Sequence, residues 1–189
     1  MRWTPVWALA VLPLLVARHP TPTIVLVRET EVIRATLDRA TQFFVRKVSI
    51  GRDDLAQIRK EVDFSPEDPD YKFYLGKTAD GSLQGLVLFP QVNTPHGPIE
   101  VGLTVTPDGV ITSAIVTKAT VETKPWVEEV VATGLMKRFI GLRYGDDVSG
   151  ALNSHPGDEM GSMPSWVAQV IATAVHHGLV VYHVLYHAA

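Results

Sequence analysis

The chain has 189 residues, 46% of them hydrophobic and 20% charged, with a formal net charge of −3 and no cysteine. That length and balance give one globular domain with a core of its own. The missing thiols exclude disulfides, cysteine-ligated zinc or iron–sulfur clusters, c-type haem attachment and thiol catalysis; the absence of a Lys/Arg stripe with interleaved aromatics argues against a nucleic-acid partner.

At the N-terminus, Arg2 precedes an apolar run of 15 residues, Trp3–Ala17, which is broken by Pro5 and Pro13 and followed by Arg18-His19-Pro20. A membrane span needs about 20 apolar residues, so the run reads as a signal peptide or a short uncleaved anchor of an exported protein. A hydrophobic strand packed into the core is the alternative. With the proline linker His19–Thr23, residues 1–23 form this leader and residues 24–189 one domain. Ile24–Val27 is a short strand or the tail of the anchor. From Glu29, the spacing of Ile33, Leu37, Ala40 and Phe44 predicts a helix. Val45–Ile50 reads as a short strand. A second helix opens at Gly51-Arg-Asp53, with Asp53 as its cap and Leu55, Ile58 and Val62 on its buried face. Phe64–Asp70, with two prolines, is loop.

The period then changes to two. Tyr71–Lys77 and Leu83–Phe89 are strands joined by the turn Ala79–Ser82, and Val92–Pro98 is a loop. Ile99, Val101, Leu103 and Val105 alternate with polar or small residues, as a half-buried strand requires. Pro107-Asp108-Gly109 turns the chain into Val110–Thr117. After Pro125 the helical period returns through Val127, Val130, Val131, Leu135 and Phe139 until Gly141. Leu142–Gly157 is a polar loop. Strands in one block with helices before and after it predict an α+β fold, an antiparallel sheet of at least four strands packed with helices.

The last helix is entered through Gly161-Ser-Met-Pro164 and continues with Trp166, Val167, Val170, Ile171 and Ala174 at helical spacing. Gly161 permits a tight turn, and Pro164 suits the first helical position. The unbonded N–H groups of such an entry attract an anion, most commonly phosphate; an ordinary loop leading into a buried helix has the same pattern. Further on, His176, His183 and His187 fall on one stripe, and His183 and His187 have metal-chelating spacing. Gly178 is expected to interrupt that register, and solvated terminal histidines are the simpler reading. The apolar run Leu179–Leu185 is a candidate seat for a membrane or a partner. Asp146 and Asp147 read as solvated turn residues. No Ser-His-Asp set or phosphate loop is present.

Taken in order, the strand Leu83–Phe89, the hairpin Gly97–Gly109, Glu122-Thr-Lys-Pro125, Phe139-Ile-Gly141 and the Gly-Ser-Met-Pro-Ser helix entry resemble the FMN-binding domain family. That family includes the flavin-carrying subunits of Rnf and sodium-pumping NADH:quinone reductase complexes, together with stand-alone exported proteins. Its members read close to Ser-Gly-Ala-Thr before the last helix, and the FMN phosphate esterifies the threonine. Here the corresponding residues are Met160-Gly161-Ser162-Met163. A thioether cannot form that ester, so the resemblance implies FMN held noncovalently if at all, with its phosphate at Gly161, Ser162, Met163 and Ser165. Family members also place a Glu-Thr-Pro-Gly-like turn against the flavin. Here Glu122 and Thr123 match, Lys124 intervenes, and Trp126 stands where a small residue is usual, either to stack on the ring or to close the groove as a core or lid residue. Lys124 would aid phosphate binding, whereas Asp158 and Glu159 would oppose it. The implied role is electron transfer on the periplasmic or other extracytoplasmic face of a membrane, beside subunits of a redox complex. The alternative is a cofactor-free accessory or structural subunit of such a complex.

Overall fold

The computed structural model describes residues 21–66, 68–152 and 161–187. The expected leader, up to residue 20, lies outside them, as do Asp158 and Glu159. In chain order the elements are β1 (Thr23–Val25), α1 (Glu29–Thr36), β2 (Gln42–Ser49), α2 (Arg52–Ile58), β3 (Asp70–Lys77), β4 (Leu83–Leu88), β5 (Gln91–Thr94), β6 (Gly97–Val105), β7 (Ile111–Thr120), α3 (Lys124–Ala132), α4 (Leu135–Arg138) and α5 (Met163–Tyr182). A short 3-10 turn, Ser149–Leu152, precedes α5, and a π turn, His183–His187, ends it.

The fold is α+β. Seven strands form one sheet in the order β1-β7-β6-β4-β3-β2, with β5 also paired to β6, and every pairing is antiparallel. β6 is the centre. Its later half pairs with β4 (Leu103 to Val105) and its first half with β5 (Gly97 to Glu100). Between those partners runs Phe89-Pro90. Proline has no N–H to give a ladder, and here it contributes only its carbonyl, which accepts the Val101 N–H at 3.0 Å.

The alternation in β6 predicts one face in water, but both faces are covered. Ile99, Val101, Leu103 and Val105 enter the main core with α5 and α3. On the other face, Val32, Ile33 and Leu37 pack with Val87. Polar or small residues on that face reflect a close helix rather than solvent: Thr104 donates to the Thr36 hydroxyl at 2.8 Å, and a Cβ at Gly102 would stand 3.0 Å from Val32 Cγ1.

Several expected boundaries shift, each for a local reason. The helix from Glu29 ends at Thr36, and Phe44 lies exposed on β2. Leu37 seats against Gly76 and Gly85 of β3 and β4, and the chain then reverses so that Gln42–Ser49 can pair along β3. Asp53 is in the first turn of α2 rather than at its cap. The cap is Gly51, whose N–H donates to Asp54 Oδ2 at 3.0 Å. Part of the expected loop Val92–Pro98 is β5 and its turn into β6. The helix expected from Val127 to Phe139 is two, split at Gly134, whose φ of 82° is left-handed.

α5 is the core helix. With its continuation to His187 it makes a 25-residue helical segment, Met163–His187, long and apolar enough to cross a membrane, but 78% of its most apolar stretch is buried inside the fold. Leu179, Val180, Val181, Tyr182, Val184 and Leu185 are all buried, so this run is seated against its own sheet rather than offered to a membrane or a partner. Gly178 does not interrupt the helix; it lets α5 lie on β6. A Cβ there would stand 2.9 Å from both Leu103 Cδ2 and Pro90 Cγ. Replacing Gly178 by Val is expected to destabilise the chain by about 1–3 kcal/mol through overpacking, lowering the melting midpoint by roughly 2–10 °C. An unchanged or higher midpoint in thermal unfolding would contradict this close approach.

Candidate functional site

The β7–α3 junction is built around two threonines. Thr123 Oγ1 accepts the Thr120 N–H at 3.1 Å, and the Thr123 N–H donates to Thr120 Oγ1 at 3.2 Å. Both residues are fully buried. Thr120 Oγ1 in turn donates to the His96 carbonyl at 3.0 Å, which ties the β5–β6 turn to the junction. The turn is held from within as well: the His96 N–H donates to Thr94 Oγ1 at 3.1 Å, and that hydroxyl donates to the Gly97 carbonyl at 2.7 Å. Gly97 has a φ of 93°, and any side chain there would run into Thr120.

These bonds present the His96 ring to three groups. Its Nδ1 stands 2.8 Å from Glu122 Oε1, and a carboxylate only accepts, so the proton sits on that nitrogen. The ring stands in a T-shaped contact with the indole of Trp166 at a centroid distance of 5.2 Å and with that of Trp126 at 6.3 Å. The His96 and Glu122 side chains are 37% and 41% exposed, so the pair is at the surface, where such an interaction contributes at most about 1 kcal/mol. Glu122 Oε2 also accepts from Thr21 Oγ1 at 3.2 Å.

The helix entry lies beside this group through Trp166. Gly161 has a φ of 95° and is exposed, with no atom of the described residues within 4 Å of where a side chain would begin. Ser162 is the cap of α5, and its hydroxyl accepts the Ser165 N–H at 3.2 Å. The Trp166 N–H goes to the Ser162 carbonyl at 3.0 Å, and Pro164 has no N–H. Among the described residues these bonds leave the Met163 N–H of the first turn, so the entry offers an anion less than a bare helix end would. Met163 and Ser165 are half-buried. Lys124 leans toward Glu128 at 3.5 Å, along its own helix.

Two segments some 40 positions apart in the chain thus converge. Glu122 and Trp126 from the β7–α3 junction, and the Gly161–Ser165 entry by way of Trp166, meet around His96. Thr123 stands behind them and holds the junction instead of facing outward. Nothing in the sequence marks His96 as part of this group. Trp166 was legible in principle, because a side chain in the first turn of a helix tilts back toward its N-terminus.

The remaining candidates are structural. Asp146 Oδ2 accepts the Arg143 N–H and Asp147 Oδ1 the Ser149 hydroxyl, each closing its own turn. The ring of His183 stacks flat on Tyr144 at 3.8 Å. Among the described residues no three His, Asp or Glu side chains are grouped to hold a metal ion.

No protein-family model, curated protein or solved structure gives a significant match to the chain. The junction itself makes a direct prediction. Thr123→Val leaves the buried Thr120 N–H without an acceptor and is expected to cost about 1–3 kcal/mol, whereas Thr123→Ser keeps the hydroxyl and costs about 1 kcal/mol or less. Urea unfolding of both variants checks this, and equal losses would show that the hydroxyl is not what holds the junction.

Proposed function

We propose that the protein is an exported, membrane-associated domain of the FMN-binding fold that acts in electron transfer, with FMN held noncovalently between the β7–α3 junction and the entry to α5. The observation that carries this reading is that Glu122 and Trp126 meet around His96 with Trp166, the residue that directly follows the Gly161–Ser165 helix entry, two segments that only the family resemblance had paired. The residues present fit the group in part. Met163 rules out the phosphoester, while the Met163 N–H and the open backbone at Gly161 remain as phosphate contacts. Trp126 and Trp166 supply aromatic faces. When bound, the flavin supplies the redox chemistry, and the chain's part is to position it and exclude water. His96 stands against both indoles, so it must swing out for a ring to enter; its tie to Glu122 is a surface pair and cheap to break. The N-terminal segment would keep the domain at the extracytoplasmic face of the membrane, beside subunits of a redox complex.

A second reading has its own observation. His96 closes the space beside both indoles, and the cap of α5 is satisfied by Ser162. A chain that retained the fold as a cofactor-free accessory subunit would look the same. Titrating the purified protein into FMN while following flavin fluorescence separates the two. The first reading expects saturable, stoichiometric quenching that acid or heat reverses, and tightening of up to about fivefold in His96→Ala as the surface pair is removed. No quenching by either protein, with co-purification of membrane partners, would overturn it in favour of the second.

A further inference from the structure

The sheet has a gap that none of the residues around His96 lines. β3 pairs with β4 only from Tyr74 onward. Beyond that point β4 passes through Phe89-Pro90 into β5, and the first half of β3 is left facing a cavity of about 270 Å³. Phe64, Tyr71, Tyr74 and Phe89 give it aromatic walls. Its charged lining is acidic: Glu29, Asp68, Asp70 and Glu100 against Lys72, so that carboxylates stay in excess even with Lys118 bonded to Glu29 and Glu100. His177, buried at the α5 side, has its pKa lowered by burial and by His176, which keeps it neutral.

Two features show what this wall recognises. Lys118 lies between two of the carboxylates, 3.0 Å from Glu29 and 2.8 Å from Glu100. Burial alone would lower its pKa, but the bonds to Glu100 and Glu29 outweigh that and raise it, so one ammonium is already held by a pair of carboxylates. The second feature is Tyr71, a residue of the cavity's lining whose hydroxyl is buried and has no hydrogen-bond partner among the described residues. Burial and the nearby charge of Glu100 push its pKa up, so it stays a protonated phenol. A buried hydroxyl without a partner calls for an explanation in a ligand or a water.

We propose that this gap binds a small primary amine as its ammonium, with Tyr71 Oη and a rim carboxylate accepting N–H bonds and the aromatic side chains covering the apolar body. Anions are disfavoured by the surplus of carboxylates. The aromatic walls suit a cation carried on an apolar stem.

The test uses the full chain and three probes of matched size: 2-phenylethylamine, neutral 2-phenylethanol and anionic 3-phenylpropionate, each titrated by calorimetry. The amine is expected to bind at least about tenfold more tightly than the other two, weakening as salt rises. Tyr71→Phe keeps the ring and removes the hydroxyl; it is expected to weaken amine binding at least about fivefold while the melting midpoint holds or rises, since an unpaired buried group has been removed. An amine that binds no better than the alcohol, or binds Tyr71→Phe as well as the parent, overturns the proposal and leaves the hydroxyl to a buried water. If Tyr71→Phe does not fold, amide shifts of the parent protein decide. The amine must move Tyr71, Lys72 and Gln91, and shifts confined to other residues overturn it.

Discussion

Everything in this fold is referred to β6, a strand buried on both faces. One face carries Ile99, Val101, Leu103 and Val105 into the main core under α5. The other carries Glu100, Gly102 and Thr104 beneath α1. Two glycines set the helix distances: Gly102 admits α1, and Gly178 admits α5 against Leu103 and Pro90. With both helices fixed on it, β6 also fixes its neighbours. Its first half holds β5 and so the turn that carries His96, while its pairing with β7 brings Thr120 and the α3 junction to the same end. The convergence around His96 follows from that geometry.

The same strand explains the sheet's gap. Because β6 takes β4 and β5 as successive partners on one side, with Pro90 between them, the strand beyond cannot stay paired along its whole length. Tyr71 projects where the pairing has ended. The two candidate sites are therefore both tied to one feature, the β4–β5 break: the turn after β5 supports the indole-lined surface, and the break itself opens the acidic cavity.

Much of the strand block was legible in the sequence because side-chain alternation and turn chemistry agreed there. Gly109 shows the agreement well, since its φ of 82° closes the β6–β7 hairpin while the lack of a side chain lets Tyr182 pack on it and donate to the Pro107 carbonyl at 2.8 Å. The antiparallel α+β architecture was legible for the same reason. What escaped were features decided by tertiary partners. A polar residue facing a close helix reads in sequence like one facing water, which is why Thr104 and Glu100 gave β6 a half-exposed pattern. The spacing of Phe44 continues the period of α1, but pairing with β3 claims that segment for the sheet. For the site, the helix entry and Glu122 could be named from the order of motifs; His96, a single histidine between proline and glycine, carried no signal until the hairpin was folded.

The proposed function rests on the entry to α5 and the β7–α3 junction forming two walls of one surface that takes FMN. The chain has four tryptophans, and two of them, Trp126 and Trp166, mark those walls. The indole N–H resonances of a ¹⁵N-labelled sample, followed while FMN is added, test the claim most directly. The account predicts that Trp126 and Trp166 move together along one saturation curve, with the backbone amides of Gly161 and Met163 following the same curve. Movement of neither indole, or movement of only one without the helix entry, would contradict it.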